Sequence, residues 1–599
     1  MKVASLGDGK FAFAITALAK PDGTIYNSEK AASVPSTGRY YEATFVRHWD
    51  TYLTPNRNAV WYGTLAKDGE EYSLSSLVNA LKGTKLESPV PPFGGTDNFD
   101  VSSSGLAFVA KDPELNPSIW TKINVYYVPL STFTESTAPA PIQVETTGFE
   151  GQSTSPVFSP DGKSLAFLRM REIQYESDKL QLFVVSDVSK AVAVNALPTA
   201  DNTGSWDRSP SAVAWSADGK TLYLTAENIG RVSLYSLPAP SGNATSSKEP
   251  ILIFNDGAVS DAHALETGDV FISGTNLIDN SVYFLLTPGE KHVQISSNTK
   301  NGALFGLSRD QVSEIWYPGA ANGTKIHAWV IVPSNFTANS TWPLAYLIHG
   351  GPQGAWEDSW STRWNPALFA EQGYVVVAPN PTGSTGYGKA LTDAIQGEWG
   401  GLPYEDIVNG FTYIENNLKY VDTDRAVELG ASYGGYMTNW IQGHDLGRKF
   451  KALVTHDGVF SMAAQLASEE QWFPEHDLEG KFWENRESWL EWDPSAHTDK
   501  WATPHLIIHN ELDYRLTIAE GLAAFNVLQG RGVESAFLTF PDENHWVLKP
   551  ENSLLWNTAV FDWINPRVGL PSLSEQSENA AKAKENAWGN RESDLNLKV

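Results

Sequence analysis

The chain contains no cysteine among its 599 residues. That excludes disulfides, thiolate catalysis and Cys-ligated zinc, and it leaves the redox compartment open. Charge is sparse at 19% of residues, and positive charge is scarcest: Lys+Arg 43 against Asp+Glu 70, a formal net charge of -27. Nucleic-acid binding requires clustered cations to displace counterions, so no nucleic-acid partner is expected. No apolar run reaches the roughly 20 residues of a membrane-spanning helix, so no membrane partner is expected either. Residues 1–20 place Lys2 ahead of Phe11-Ala12-Phe13-Ala14-Ile15, but Asp8 and Lys10 interrupt the segment where a secretion signal needs an unbroken apolar stretch. They read as part of the folded protein. Hydrophobic residues at 41% and this length predict several globular domains.

The first half carries a repeat. Asp8-Gly9-Lys10-Phe11-Ala12-Phe13 returns as Asp161-Gly162-Lys163-Ser164-Leu165-Ala166-Phe167 and as Asp218-Gly219-Lys220-Thr221-Leu222-Tyr223, with weaker copies at Gly105 and Gly268. The glycines at 9, 105, 162, 219 and 268 are 96, 57, 57 and 49 residues apart. The spacing predicts a unit of about 50 to 57 residues with one unrecognised copy in the first gap. Each copy reads as strand, tight turn, alternating strand. This predicts an all-β propeller over residues 1–310, with a long sandwich as the alternative. Because the first copy begins almost at Met1, either the N-terminus is truncated or the ring has fewer blades. Arg47-His48-Trp49-Asp50 and the charged stretch 169–179 interrupt the repeats and read as solvated, salt-bridged loops.

Over residues 311–567 short apolar strands alternate with helices. Strands are expected at 326–332, 344–348, 374–378, around Val427, at 453–454, 506–508 and 536–540, with a helix over 404–418. This is the pattern of a doubly wound, mostly parallel sheet, whose chemistry gathers at the carboxyl ends of the strands. Residues 568–599 are polar and read as a flexible tail.

Three strand ends carry the candidate chemistry. Gly430-Ala431-Ser432-Tyr433-Gly434 follows an apolar run and precedes a helix, the setting in which Gly-x-Ser-x-Gly exposes a nucleophile. Taken alone it is a moderate signal, with a plain Gly/Ser turn before a helix as the lesser alternative. The strand at 506–508 exits into His509-Asn510-Glu511-Leu512-Asp513, and Phe540 leads to Asn544-His545. Ser432, Asp513, His545 is the chain order of an α/β-hydrolase triad of nucleophile, orienting acid and base. The backbone N–H groups of Tyr433 and of Gly351, in His349-Gly350-Gly351-Pro352, are the expected oxyanion hole. Asp542 and Glu543 lie too close to His545 to come from a separate strand end. His509 reads as a turn residue and His349 as a brace for the glycine loop. His444, His456, His476 and His497 read as structural. Trp472, Phe473 and Tyr436 are candidates for an apolar pocket. No metal or cofactor is expected, since acyl transfer by such a triad needs none.

These motifs, with Gly383-Ser384-Thr385-Gly386-Tyr387-Gly388, resemble the prolyl oligopeptidase family of serine peptidases. Arg47-His48-Trp49-Asp50 and Tyr175-Glu176-Ser177-Asp178-Lys179 resemble its secreted fungal dipeptidyl-peptidase branch, near the acylaminoacyl-peptidases. The resemblance implies a propeller joined to an α/β-hydrolase domain and release of dipeptides from short peptide substrates. Acylaminoacyl-peptidase, carboxylesterase and catalytically silent scaffold are the alternatives. It implies a carboxylate that holds the substrate's ammonium, with Glu176 the first candidate and Asp178 and Glu172 next. The chain departs from the family in His509-Asn510, where His-Gly is usual, and in Thr382, where Arg is common. Sequons at Asn243, Asn322, Asn335 and Asn339 fit a secreted glycoprotein, although no secretion signal is visible.

Overall fold

The computed structural model describes residues 1–31, 35–197, 206–240 and 248–576. They form two compact units. The first comprises Met1–His48, Tyr52–Gly274 and Tyr283–Ser296; the second comprises Trp49–Thr51, Thr275–Val282 and the chain from Ser297 onward.

The first unit is built of successive antiparallel sheets whose inner strands, such as Leu165–Arg169 and Gln181–Val185, are buried throughout. The first sheet orders Lys2–Gly7, Lys10–Ala19, Arg57–Asp68 and Glu71–Leu74, so residues 1–20 are indeed a folded hairpin. Phe99–Ser102, Gly105–Lys111, Ile123–Pro129 and Ile142–Gln143 make the second. Ser153–Phe158, Leu165–Arg169, Gln181–Val185 and Val194–Asn195 make the third. Pro210–Trp215, Thr221–Glu227, Val232–Pro238 and Ile251–Phe254 form a fourth group. One parallel pair, Val232 with Ala258, joins it to the strands that begin with Ala258–Ala264.

The repeated Asp-Gly-Lys has a local cause. Asp161 accepts from Ser159 Oγ at 2.7 Å and from the Lys163 N–H at 3.1 Å, and Asp218 accepts from Ser216 Oγ and the Lys220 N–H at 2.7 and 3.0 Å. The following glycines take left-handed φ values of 70° and 69°, which glycine adopts without a Cβ clash. The expected extra copy between Gly9 and Gly105 does not exist among the described residues. The third strand of the first sheet, Arg57–Asp68, is reached through a long excursion from Ala19, so the wider spacing is connection rather than another sheet.

The second unit holds an eight-stranded sheet. Its strands are β1 (Val312–Pro318), β2 (Lys325–Ile331), β3 (Trp342–Ile348), β4 (Val375–Asn380), β5 (Val421–Ala431), β6 (Phe450–His456), β7 (His505–Ile508) and β8 (Ser535–Leu538). Their spatial order is β1-β2-β4-β3-β5-β6-β7-β8, parallel from β4 onward. Helices α1 (Leu402–Asn417) and α2 (Tyr433–Gln442) contribute Ile407, Phe411 and Met437 to the core on one face. On the other face α4 (Pro550–Ile564) contributes Trp556, Val560 and Phe561; α3 (Ile518–Gly530) packs against β7 and β8. Covered on both sides, inner strands of the sheet carry apolar runs, as in Val375-Val376-Val377-Ala378.

Packed structure extends past the expected end at 567. Val568 is buried, and Leu570 and Leu573 pack on the same core as α4. Three apolar residues in a polar stretch suffice to dock it. The remainder of the expected tail, 577–599, lies outside the described residues. Asn322, Asn335 and Asn339 are exposed, and Asn243 lies outside the described residues. No helix among the described residues is long and apolar enough to cross a membrane.

Candidate active site

Ser432 sits between β5 and α2 with φ 58° and ψ −119°, a region that costs a non-glycine residue on the order of 1–3 kcal/mol. The serine itself carries this strain, and the flanking glycines are required for a different reason. A Cβ on Gly430 would lie 2.3 Å from the Gly434 backbone, and one on Gly434 would lie 2.2 Å from the Ile348 carbonyl oxygen. The Ser432 N–H donates to the His456 carbonyl at 2.9 Å. His456, which reads from sequence as structural, is the last residue of β6 and holds the serine through its backbone.

Asp513 and His545 meet as expected. Asp513 Oδ2 is 2.6 Å from His545 Nδ1, and its Oδ1 accepts the N–H groups of Arg515 and Leu516 at 3.0 and 2.8 Å. Both residues are buried. A bond of this kind fixes the orientation of the ring. The neighbouring acids serve other ends. Glu543 accepts the Leu548 and Lys549 N–H groups ahead of α4, and Asp542 is exposed and paired with Lys549.

The glycine loop lies against the serine. A Cβ on Gly350 would come within 3.2 Å of Ser432 Cβ. His349 braces this loop, its Nδ1 2.7 Å from the Gly350 carbonyl and its Nε2 2.9 Å from Ser384 Oγ. Burial pulls its pKa down to about 4, so the brace is neutral at neutral pH. Gly351, Ser432 and Tyr433 line one pocket together with Phe473, Glu470 and Arg515. Tyr433 opens α2, so no intrahelical carbonyl takes up its N–H. Of the three aromatic candidates only Phe473 lines this pocket; Trp472 and Tyr436 are buried in the packing behind it.

No local pattern marks Glu470, which pairs with Arg515 inside the pocket, while Arg515 stacks over Phe473 at 5.4 Å. Asp457 also went unread. It follows β6, is fully buried, and accepts from the Asn510 N–H at 3.0 Å and from Asn510 Nδ2 at 3.1 Å. Burial, with the Asp513 charge adding to it, pushes its carboxyl up to about 8. Asn510 Nδ2 also donates to the Asn544 carbonyl at 2.7 Å. The departure from glycine at 510 thus ties the loop of the acid to the loop of the base. Thr382, the other departure, donates through N and Oγ1 to Asp406. Asp457, His509 and Asp513 offer atoms within 4.8 Å of one another. Asp513 is committed to His545 and two N–H groups, and His509 Nε2 sits 2.7 Å from the Leu516 carbonyl, as a turn residue would. His509 itself lies 4.0 Å from Asp457 and 3.9 Å from Asp513, beyond hydrogen-bond reach of either.

Trp49 overturns the reading of Arg47-His48-Trp49-Asp50 as a solvated loop. It is 5% exposed, and its ring meets His545 edge-on at 5.5 Å. The anchor candidates Glu172, Glu176 and Asp178 belong to the first unit. Asp178 is buried and its Oδ2 accepts the Arg171 and Glu172 N–H groups at 2.9 Å each, so it is spent on closing its own loop. Glu172 is exposed and Glu176 half-buried.

Comparison with known proteins bears on the family and the fold. A family model described as the prolyl oligopeptidase family matches residues 360–570. Dipeptidyl-peptidase 5 of Trichophyton tonsurans is 45% identical over 593 residues, covering 96% of this chain and 79% of that protein. Dipeptidyl-peptidase 5 of Aspergillus fumigatus is 47% identical over 588 residues, covering 95% and 79%. Among solved structures, an acylaminoacyl peptidase of Pyrococcus horikoshii is similar with TM-score 0.66 and 17% identity, over 90% of this chain and 76% of that one. Dipeptidyl peptidase 4 of Porphyromonas gingivalis is similar with TM-score 0.56 and 14% identity, over 93% and 73%. These structures share the fold.

Proposed function

Because the chain belongs to the prolyl oligopeptidase family of serine peptidases, we propose that it releases dipeptides from the free N-terminus of short peptides. The observation that carries the reading is the 2.6 Å bond between Asp513 and His545, with Arg515 and Leu516 of the Asp513 loop lining one pocket with the strained Ser432. In the proposed reaction His545 takes the proton of Ser432 Oγ as the oxygen attacks the scissile carbonyl. The tetrahedral oxyanion accepts from the Tyr433 and Gly351 N–H groups, donors worth about 3 kcal/mol each in such sites. The imidazolium, held by Asp513, then protonates the leaving amine and leaves an acyl-enzyme. Water, deprotonated by His545, attacks the ester and restores Ser432.

In this reading the first unit, within residues 1–310, forms a β-propeller, and the second, expected over 311–567 and packed on through Leu573, forms an α/β-hydrolase domain. Four consecutive strand groups in the first unit and the family relationship support it. Glu176 is the first candidate for the carboxylate that holds the substrate's ammonium, with Glu172 second. The apolar wall at Phe473 and the neutralised Arg515–Glu470 pair favour an uncharged side chain next to the scissile bond. Exposed Asn322, Asn335 and Asn339 support a secreted glycoprotein.

Comparison of kcat/KM on a dipeptidyl amide with a free N-terminus and on its N-acylated counterpart tests the proposal. A preference for the free amine is expected, and Glu176→Ala should erase it chiefly through KM. Preference for the acylated substrate would make the enzyme an acylaminoacyl-peptidase instead.

A further inference from the structure

The segment Trp49–Thr51 belongs to the second unit, apart from its neighbours in sequence. Its contacts fall on the two loops that carry the acid and the base. The Trp49 carbonyl accepts the N–H of Tyr514, the residue after Asp513, at 2.9 Å. The Asp50 carboxylate accepts Asn544 Nδ2, from the residue before His545, at 2.9 Å. The Trp49 ring meets His545 edge-on at 5.5 Å and Trp546 edge-on at 4.7 Å, and the Arg363 guanidinium covers Trp546 at 4.7 Å. Trp49 holds φ 60°, which a bulky residue adopts only where its surroundings overdetermine it.

We infer that Trp49 and Asp50 are positioning residues that clasp the Asp513 and His545 loops and set the imidazole for proton transfer. The inference rests on the triad reading above. A carbonyl, a carboxylate and a ring edge each hold a different atom of the two loops. Together they constrain the translation of both loops and the tilt of the His545 ring. Asn510 ties the same loops from the interior, and the clasp closes them from the other end of the sequence. Preorganisation of this kind acts on the rate of the bound complex, since misplacing a catalytic group by about 1 Å costs up to about 100-fold.

The test uses the full-length chain with Trp49→Ala, Trp49→Phe, Asp50→Ala and Asp50→Asn, a dipeptidyl amide, and the rate of Ser432 modification by a fluorophosphonate. Trp49→Ala and Asp50→Ala are expected to lower kcat and the modification rate by about 10- to 100-fold, with KM within about twofold. Trp49→Phe retains a ring edge and Asp50→Asn retains an acceptor oxygen, so each should recover most of the loss. If Trp49→Ala fails to fold, the Asp50 pair carries the test. Unchanged kcat in the alanine variants, a change confined to KM, or no recovery by the conservative variants would overturn the clasp. Failure of the native chain to react at Ser432 would instead overturn the triad reading.

Discussion

Asp513 and Asp457 follow adjacent strands, β7 and β6, and both are buried, yet their surroundings make them different groups. Asp513 faces an imidazole nitrogen at 2.6 Å and two backbone N–H groups, so a charge appearing on His545 finds its counterpart in place. Asp457 faces one N–H and one carboxamide, both from Asn510. His456 Nε2 lies 3.2 Å away, but burial and the nearby Arg363 hold that ring's pKa near 3, so it brings no positive charge at neutral pH. A carboxylate buried beside another carboxylate without a full countercharge is disfavoured, and Asp457 shifts upward to about 8. Equal burial thus yields a stabiliser of charge in one case and a neutral bracket in the other; the partners decide.

Substitutions can break this contrast. The largest effect is expected from Asp513→Asn, which keeps the shape but misdirects the imidazole proton. It should lower kcat by about 10⁴-fold, measured on a dipeptidyl amide. Asn510→Ala comes next. It removes one of the two donors to buried Asp457 and the tie to the Asn544 carbonyl while leaving the backbone N–H in place, and should destabilise the protein by about 1–3 kcal/mol in urea unfolding, with a smaller loss of kcat than Asp513→Asn. Asp457→Asn should change kcat least, within about tenfold if it is a bracket rather than a second acid. It also has a signature in pH. A carboxyl raised on folding adds stability that is complete below its unfolded pKa, near 3.8, and lost as pH rises through about 8. The native chain should therefore lose stability between about pH 4 and pH 8 and level off above that, and Asp457→Asn should flatten that decline in thermal melts. A decline that is unchanged in the variant would assign it to another group.

The legible parts of the sequence were those where local geometry admits few residues. Gly430 and Gly434 announce the serine turn because backbone approaches within 2.3 Å of where a Cβ would stand. Asp513 and His545 were legible from apolar strands that stop short of them. The sheet repeats were legible in their turns, where Ser159 and Ser216 build the same network. The false copy between Gly9 and Gly105 arose from reading spacing as a count, when Arg57–Asp68 simply returns after a long connection. The missed residues meet across distance. Asp50 and Asn544 are 494 residues apart, and no local pattern marks Trp49 as a core residue beside a histidine. Glu470 gains its meaning only from Arg515, and Asp457 only from Asn510.

The most direct measurement is the site and stoichiometry of modification by a fluorophosphonate, read by peptide mass spectrometry on the native chain, Ser432→Ala and His545→Ala. One adduct per chain on Ser432, abolished in Ser432→Ala and slowed by orders of magnitude in His545→Ala, is the predicted result. An adduct on another residue, or a rate on Ser432 indifferent to His545, would contradict the account.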